Sequence, residues 1–493
     1  MSTTQLLVNK PQVQGVKMLI GYLGMFMIPV GILCLIPLLI LPFYPSEVIY
    51  ARNYIIPGVS SIFIGFLLFL LIKGKQRAQL QRHQDAVLVT AIWAISILIG
   101  AIPIMMSGYN FTHAVFESTS GFTTTGLSIV DVDNSPKLLL LYRSLTHFFG
   151  GVGFVLIVFS IVSDKFGMQL YSSEGHSDRL MPNLLKSART IMAIYSGLIA
   201  LGTLAYCCFG MSLFDAVNHS IASLSTGGFS TRSTSLAYYN SAPIEIITVV
   251  LMFLGNANFL VLLNLVRCKI KNVVKHSETI LVCIVMLLFL PILIYSATTF
   301  TDSFWMAVRV GLFQFTTALT TTGFQMLPDN SNFSGLPFIF NGVIILCMLI
   351  GGGAGSTAGG LKQSRVALML KSVYFNFRDK LSNKNVIRTN LIYRVGEKVE
   401  VKKDDIAENY NFIMVYLLIF ALGTIIFSAY GNNLTDSMFE VASSLGTVGI
   451  SAGLTAPTAP PLLHWVSTTC MFIGRLEIFV VFVAISRMFT RKK

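Results

Sequence analysis

Charge is what this sequence has least of. Only 12% of its 493 residues are Asp, Glu, Lys or Arg, while 54% are hydrophobic and mean hydropathy is +0.71. A soluble globular chain is about a quarter charged, so this one is solvated by lipid. Its length is therefore read as membrane spans and not as soluble domains. The constellations of catalysis are also missing: there is no H-E-x-x-H, which sets an integral-membrane enzyme far down. No C-x-x-C occurs among the seven cysteines, Cys34, Cys207, Cys208, Cys268, Cys283, Cys347 and Cys470. All lie in or beside apolar runs and are expected as small buried hydrophobes, not disulfides or zinc ligands. The first apolar run, 18–42, has no small-residue cleavage site and is too long for a signal peptide. It is taken as a span.

What the chain does have is apolar runs long enough to cross a bilayer, about 20 residues each. They lie near 16–42, 54–72, 86–107, 138–163, 188–210, 243–266, 278–298, 336–350, 411–430 and 462–487. The net charge of +13 sorts onto alternate exits. Lys73, Lys75, Arg77 and Arg82 follow the second run; Lys165, Arg179, Lys186 and Arg189 the fourth; Arg267, Lys269, Lys271 and Lys275 the sixth. Lys362, Arg365 and Lys371 open a basic stretch after the eighth, and Arg487, Arg491, Lys492 and Lys493 end the chain. The intervening segments 324–337 and 431–461 contain no Lys or Arg. By the positive-inside rule both termini are cytoplasmic, in a multi-pass protein of the cytoplasmic (inner) membrane. The basic charge is thus explained by topology and not by nucleic acid.

Four stretches on the outer side repeat one pattern: Thr124-Thr125-Gly126-Leu127, Thr226-Gly227-Gly228-Phe229, Thr321-Thr322-Gly323-Phe324 and Thr447-Val448-Gly449-Ile450. Nine positions before each glycine stands a polar residue: Glu117, His219, Gln314 and Glu440. A short apolar segment precedes each loop: Thr112–Phe122, Ser212–Leu224, Ser303–Leu319 and Thr435–Leu445. These are too short to span and are expected as re-entrant pore helices. The chain is then an internal repeat. Two leading spans (1–80) precede pore repeats at 81–185, 186–276, 277–375 and 411–493, with a cytoplasmic connector at 376–410. The fold class is all-α, with ten transmembrane helices and four helix–pore helix–filter loop–helix units around a central pore.

Non-helical backbone at membrane depth survives only where protein buries it or water lines it. Four such loops on one axis replace the hydration shell of a monovalent cation with carbonyl oxygens, and pore-helix C-termini favour the same charge. Glu117, His219, Gln314 and Glu440 are expected to support the loops from behind and not to ligate the ion. A fifth stretch, Gly351-Gly352-Gly353-Ala354-Gly355-Ser356-Thr357-Ala358-Gly359-Gly360-Leu361-Lys362, lacks the Gly-Lys-Ser/Thr of a phosphate loop and follows a span, not a strand. So many glycines, at about 1 kcal/mol each, must break the helix. Arg475 lies in the last apolar run, where a charge is a functional candidate by default. Arg143 either faces the outer pore or snorkels, His147 is expected to pack, and Asn256 and Asn258 to weaken the sixth run.

The four loops, the run 351–362 and Gly474-Arg475-Leu476-Glu477 resemble the TrkH/TrkG type of bacterial potassium-uptake membrane subunit over essentially the full length. The two leading spans favour the Trk branch over the eight-span Ktr branch. That resemblance implies a potassium filter at Thr124, Thr125, Gly126, Thr226, Gly227, Gly228, Thr321, Thr322, Gly323, Thr447, Val448 and Gly449. Potassium is then the transported ion, and the chain has no organic cofactor. One glycine per loop sets selectivity, and serine in the first loop is associated with sodium permeation; glycine at all four positions implies potassium preference. Departure from TVGYG implies looser selectivity, with rubidium admitted. The resemblance also implies a gate at Gly351, Gly352, Gly353, Ala354, Gly355, Ser356, Thr357, Gly359, Gly360 and Lys362, with Arg475 on its carbonyls. It implies a homodimer and a cytosolic TrkA-type partner that binds NAD(H), ATP or ADP. The basic segment 362–410 is the expected docking surface, or else a contact for anionic lipid. The alternative function is a sodium- or proton-coupled symporter.

Overall fold

Helix forms in every one of the ten apolar runs. The structure, a computed structural model, describes residues 12–13, 15–74, 76–77, 84–153, 184–328, 332–381 and 389–489. Residues 154–163 of the fourth run lie outside the described residues, as do Lys75, Arg82, Lys165, Arg179, Arg491, Lys492 and Lys493. The two leading helices, α1 (Gly15–Leu35) and α2 (Arg52–Leu70), pack backbone to backbone. A Cβ added at Gly24 would sit 2.6 Å from the Gly65 carbonyl oxygen, and one at Gly31 the same distance from that of Gly58. Lipid supplies no hydrophobic force between helices, so close approach at small residues supplies van der Waals contact instead.

Six described helices are long and apolar enough to cross a membrane unbroken: Gly15–Ile40, Arg52–Leu70, Gln84–Met106 (α3), Arg189–Cys208, Ser277–Ala297 (α10) and Lys403–Ala429 (α14). The expectation of a continuous span is corrected at the sixth and tenth runs. Helices α8 (Ala242–Asn256) and α9 (Phe259–Val266) meet at 117°, and α16 (Pro461–Arg475) meets its continuation α17 (Ile478–Phe489) at 102°. At the first break Asn258 caps α9, its side chain accepting from the Leu260 amide at 2.8 Å. At the second, Glu477 takes a left-handed turn with φ 58°. In the fourth run, α5 (Lys137–Phe148) passes into a π turn at Phe149–Gly153. The eighth run stops as helix α12 (Phe338–Ile350), where Gly351 begins the loop.

Between these helices lie four short buried ones: α4 (Phe111–Phe122), α7 (Leu213–Leu224), α11 (Phe304–Leu319) and α15 (Leu434–Leu445). Ser212 and Ser303 cap α7 and α11 with their side chains, and Asn110 caps α4. The helix α6 (Leu184–Cys208) precedes α7. The apolar surface faces outward: Leu287, Tyr295 and Phe338 are each more than 70% exposed. In lipid that is solvation and not a defect. For the same reason Cys208, Cys268 and Cys283 are exposed and Cys207 half-buried, against the expectation of burial; Cys34, Cys347 and Cys470 are buried.

The segment after the eighth run is not featureless. It forms helix α13 (Gln363–Lys380) and an antiparallel hairpin that pairs Leu391–Arg394 with Glu397–Glu400. This hairpin and a two-residue parallel pairing of Gln12–Val13 with Gln76–Arg77 qualify the all-α expectation. Leu368 of α13 packs with Ile392 and Val401, which seats the hairpin on that helix.

Candidate ion-binding site

Each short helix ends four residues before its glycine: Phe122 before Gly126, Leu224 before Gly228, Leu319 before Gly323, Leu445 before Gly449. The backbone leaves each helix in the same way. Thr125, Gly227, Thr322 and Val448 donate to the carbonyls of Ser120, Ala222, Thr317 and Ser443 at 2.8–3.0 Å. The threonine two before each glycine is left-handed, with φ 54° at Thr124, 50° at Thr226, 52° at Thr321 and 50° at Thr447. A β-branched residue at positive φ is an outlier that costs about 1–3 kcal/mol. Four at one position, each buried, are held by their surroundings and do not arise by chance.

The four loops form a closed ring. A Cβ on Gly126 would run into the Gly227 carbonyl oxygen, one on Gly228 into that of Thr322, one on Gly323 into that of Val448, and one on Gly449 into that of Thr125. Each glycine therefore abuts the residue before the next glycine, in chain order, and the fourth closes on the first. All four glycines also have positive φ, from 74° to 97°. Alternating hand at successive residues turns successive carbonyls to one side, the arrangement that replaces a cation's water. Hydroxyls of Ser120, Thr317 and Ser443 accept from the amides of Gly126, Gly323 and Gly449 at 3.0 Å. The second loop has Ala222 at the matching position and no such bond. It also has Gly227 where the others carry a side chain, because the His147 ring, stacked 4.0 Å from Phe229, occupies that space.

The polar residues nine positions back lie in the short helices behind the ring, and three of them bond the segment that leaves it. Glu117 accepts from the Ser128 hydroxyl and Ile129 amide, both at 3.0 Å. Glu440 accepts from Ser451 at 2.8 Å, from the Ala452 amide at 2.9 Å and from the Thr455 hydroxyl. His219 meets Ser230 at 3.0 Å. Gln314 departs from this pattern: its side chain is buried without a hydrogen-bond partner among the described residues, and Gln325 stands where the other three have serine. Arg143 neither lines the outer pore nor snorkels. It is buried on Glu117 at 2.7 Å, donates to Ser128 at 2.6 Å and covers the Phe229 ring at 4.0 Å. Charge pairing, with the partner 26 positions away, is what the linear pattern did not reveal.

Directly beneath the ring lies the stretch 351–362. Its neck is closed by the Gly352 amide on the Gly359 carbonyl at 2.9 Å and by Gln363 on the carbonyls of Gly352 and Gly351 at 2.7 and 3.1 Å. Ser356 donates to Gly353 at 2.6 Å, and the Lys362 ammonium donates to the Ala358 carbonyl. Thr357 and Gly359 between them meet all four left-handed threonines. Thr124 donates to the Thr357 carbonyl at 3.4 Å and Thr226 to the Thr357 hydroxyl at 3.0 Å. The Gly359 amide donates to Thr321 at 2.9 Å, and a Cβ on Gly359 would strike the Thr447 hydroxyl. The Arg475 guanidinium donates to the same Thr357 carbonyl and to that of Gly150 at 2.7 Å. Glu477 is not its partner; that carboxylate takes Arg365 at 2.6 Å. The four loops, the glycine-rich stretch and Arg475 thus meet in one place.

From sequence, Gly474 stands only within the motif that carries the resemblance, and neither Gly150 nor Gly255 is singled out for packing. A Cβ on Gly150, Gly255 or Gly474 would strike the last carbonyl of the short helix beside it, at Phe122, Leu224 and Leu445. A glycine in the helix after the loop, in three of the four units, is the signal that marks them.

A chain with this fold and this ring is a multi-pass α-helical membrane protein of the four-loop kind. The family model for TrkH, described as a cation transport protein, matches residues 53–492, and the chain belongs to that family. It is 31% identical to an uncharacterized cation transporter of Methanocaldococcus jannaschii over 98% of this chain and 97% of the relative. It is 28% identical to the Trk system potassium uptake protein TrkH of Halomonas elongata, over 97% of this chain and 99% of that one. The crystal structure of the potassium transporter TrkH from Vibrio parahaemolyticus shares the fold, with TM-score 0.83 and 24% identity, over 97% of this chain and 100% of that one.

Proposed function

We propose that the chain carries potassium inward across the cytoplasmic membrane, through the ring made by the four Thr-x-Gly loops. The observation that carries this reading is the closure of that ring by Gly126, Gly228, Gly323 and Gly449. Relatives described as potassium uptake proteins supply the ion. In this reading ten transmembrane segments are arranged as two leading helices and four pore units, with both termini cytoplasmic. The boundaries follow the sequence: 1–80, 81–185, 186–276, 277–375, 376–410 and 411–493. The stretch 351–362 is the gate. Its tip plugs the cytoplasmic side of the filter, and the Arg475 charge bars a resting cation electrostatically. A homodimer and a cytosolic nucleotide-binding subunit of the TrkA type complete the assembly. The basic segment 362–410 is its docking face, with anionic lipid beside it.

A cation-coupled symporter is the alternative. Such carriers are usually built of two inverted halves, whereas four equivalent loops around one ring favour a pore. Expression in a potassium-uptake-deficient bacterium, with a matching regulatory subunit, is expected to restore growth at low potassium, and Gly126→Ser to abolish it. Failure of the unmodified chain to rescue would overturn the reading; discrete single-channel steps would exclude the symporter.

A further inference from the structure

The glycine-rich loop touches more than the ring above it. Its lower side, Gly353 to Gly355, is gripped by the end of the second unit and by the start of its own. Asn256 accepts from the Gly353 amide at 3.0 Å, Asn258 donates to the Ala354 carbonyl at 2.6 Å, and the Phe259 amide donates to Gly355 at 3.2 Å. These three come from the break in the sixth run. A fourth contact comes from the third unit's own first helix: Glu278, in the first turn of α10, accepts from the Ala354 amide at 3.2 Å.

Glu278 leads away from the membrane. Its other carboxylate oxygen lies 3.2 Å from Nε2 of His276, a contact of position without an aligned hydrogen bond. The opposite ring nitrogen, Nδ1, accepts from the Val395 amide at 3.2 Å. Val395 and Gly396 are the two-residue turn of the hairpin, both at positive φ. The turn has little room to move on its own, since a Cβ on Gly396 would lie 2.8 Å from the Asn272 side chain. His276 and Glu278 are both buried, although they lie at the cytoplasmic end of α10. The space among His276, Glu278, Ala354 and Arg394 is a cavity of about 30 Å³, room for about one water. At such packing a shift at one end must be taken up at the other.

We propose that His276 and Glu278 are positioning residues that couple the hairpin turn at 395–396 to the intramembrane loop at Ala354. A regulator that docks on the cytoplasmic hairpin displaces the turn, and the His276–Glu278 strut carries that displacement to the loop. The strut acts on the loop and not on the permeating ion. The inference rests on the reading of 351–362 as the gate.

The test measures rubidium influx into vesicles that contain the full-length protein, with the potassium-to-sodium permeability ratio taken on the same preparations. Glu278→Ala is expected to raise resting influx roughly tenfold, as loss of a charge-assisted hydrogen bond does, and to leave the permeability ratio unchanged. His276→Ala is expected to act in the same direction, and the double variant to do no more than Glu278→Ala alone, the non-additivity of residues in one chain of contacts. Glu278→Gln keeps an acceptor for Ala354 and is expected to restore low influx. Deletion of 354–358 is the control for the gate. If that deletion raises influx while Glu278→Ala and His276→Ala leave it unchanged, or act additively, the coupling is overturned and the gate stands. If the deletion itself leaves influx unchanged, the gate reading fails first. A changed permeability ratio in Glu278→Ala would assign the residue to the filter and overturn the proposal.

Discussion

Arg475 concentrates more consequence than any other single side chain in the last unit. It ends helix α16, and its guanidinium spans the Thr357 carbonyl on the loop and the Gly150 carbonyl on the first unit. A hydrogen bond from a charged donor contributes about 1.5–3 kcal/mol. Loss of this one releases the loop and removes a positive charge from beneath the ring. Arg475→Ala is therefore expected to raise resting rubidium influx by about tenfold or more, measured in vesicles. Unchanged influx would show that the charge does not hold the loop closed. Arg475→Lys keeps the charge but not the planar fork, and is expected to fall between the two. Its place was legible from sequence, because a charge in an apolar run is costly and must be satisfied. Its carbonyl partners were assigned through the family resemblance, whereas Glu477 as the partner of Arg365 was not foreseen.

At the scale of elements, the struts behind the loops decide whether the ring persists. Glu117 joins α4, the segment leaving the first loop and, through Arg143, the following helix α5. Both partners of the ion pair are buried. Breaking a buried pair on one side strands the other charge and costs about 3–5 kcal/mol. Glu117→Ala is expected to lower the thermal midpoint of the purified protein steeply, and Glu117→Ala with Arg143→Met to recover part of the loss. An unshifted midpoint in the single variant would contradict the strut. The same offset that exposed Glu117, Glu440 and His219 in the sequence also pointed to Gln314, whose side chain has no hydrogen-bond partner among the described residues. A repeated position fixes where a residue lies; whether it pairs depends on its partner, and Gln325 replaces the serine there. The breaks at Ala257–Asn258 and Leu476–Glu477 were less legible than the run 351–362. Asn256 and Asn258 marked the first of these, but one left-handed glutamate leaves no compositional trace, whereas a cluster of glycines does.

Over the whole molecule, four units place one feature four times, and symmetry of position turns weak local signals into a strong one. A single Thr-x-Gly with a short apolar segment before it is ordinary. Four, each four residues past its helix and each abutting the next, make a ring. The chain then sets asymmetric parts against that ring: one glycine-rich loop at 351–362, one arginine at 475 and one hairpin at 391–400. The hairpin could not be read in advance, because the basic stretch that contains it carries no alternating apolar pattern of useful length. The most direct measurement of the central claim is the potassium-to-sodium permeability ratio from bi-ionic reversal potentials of the reconstituted protein, taken for Gly126→Ser, Gly228→Ser, Gly323→Ser and Gly449→Ser in turn. Each added side chain meets a carbonyl of the neighbouring loop, so every one of the four is expected to lower the ratio or abolish the current. A ratio unchanged in any folded, conducting variant would contradict a filter built from all four loops.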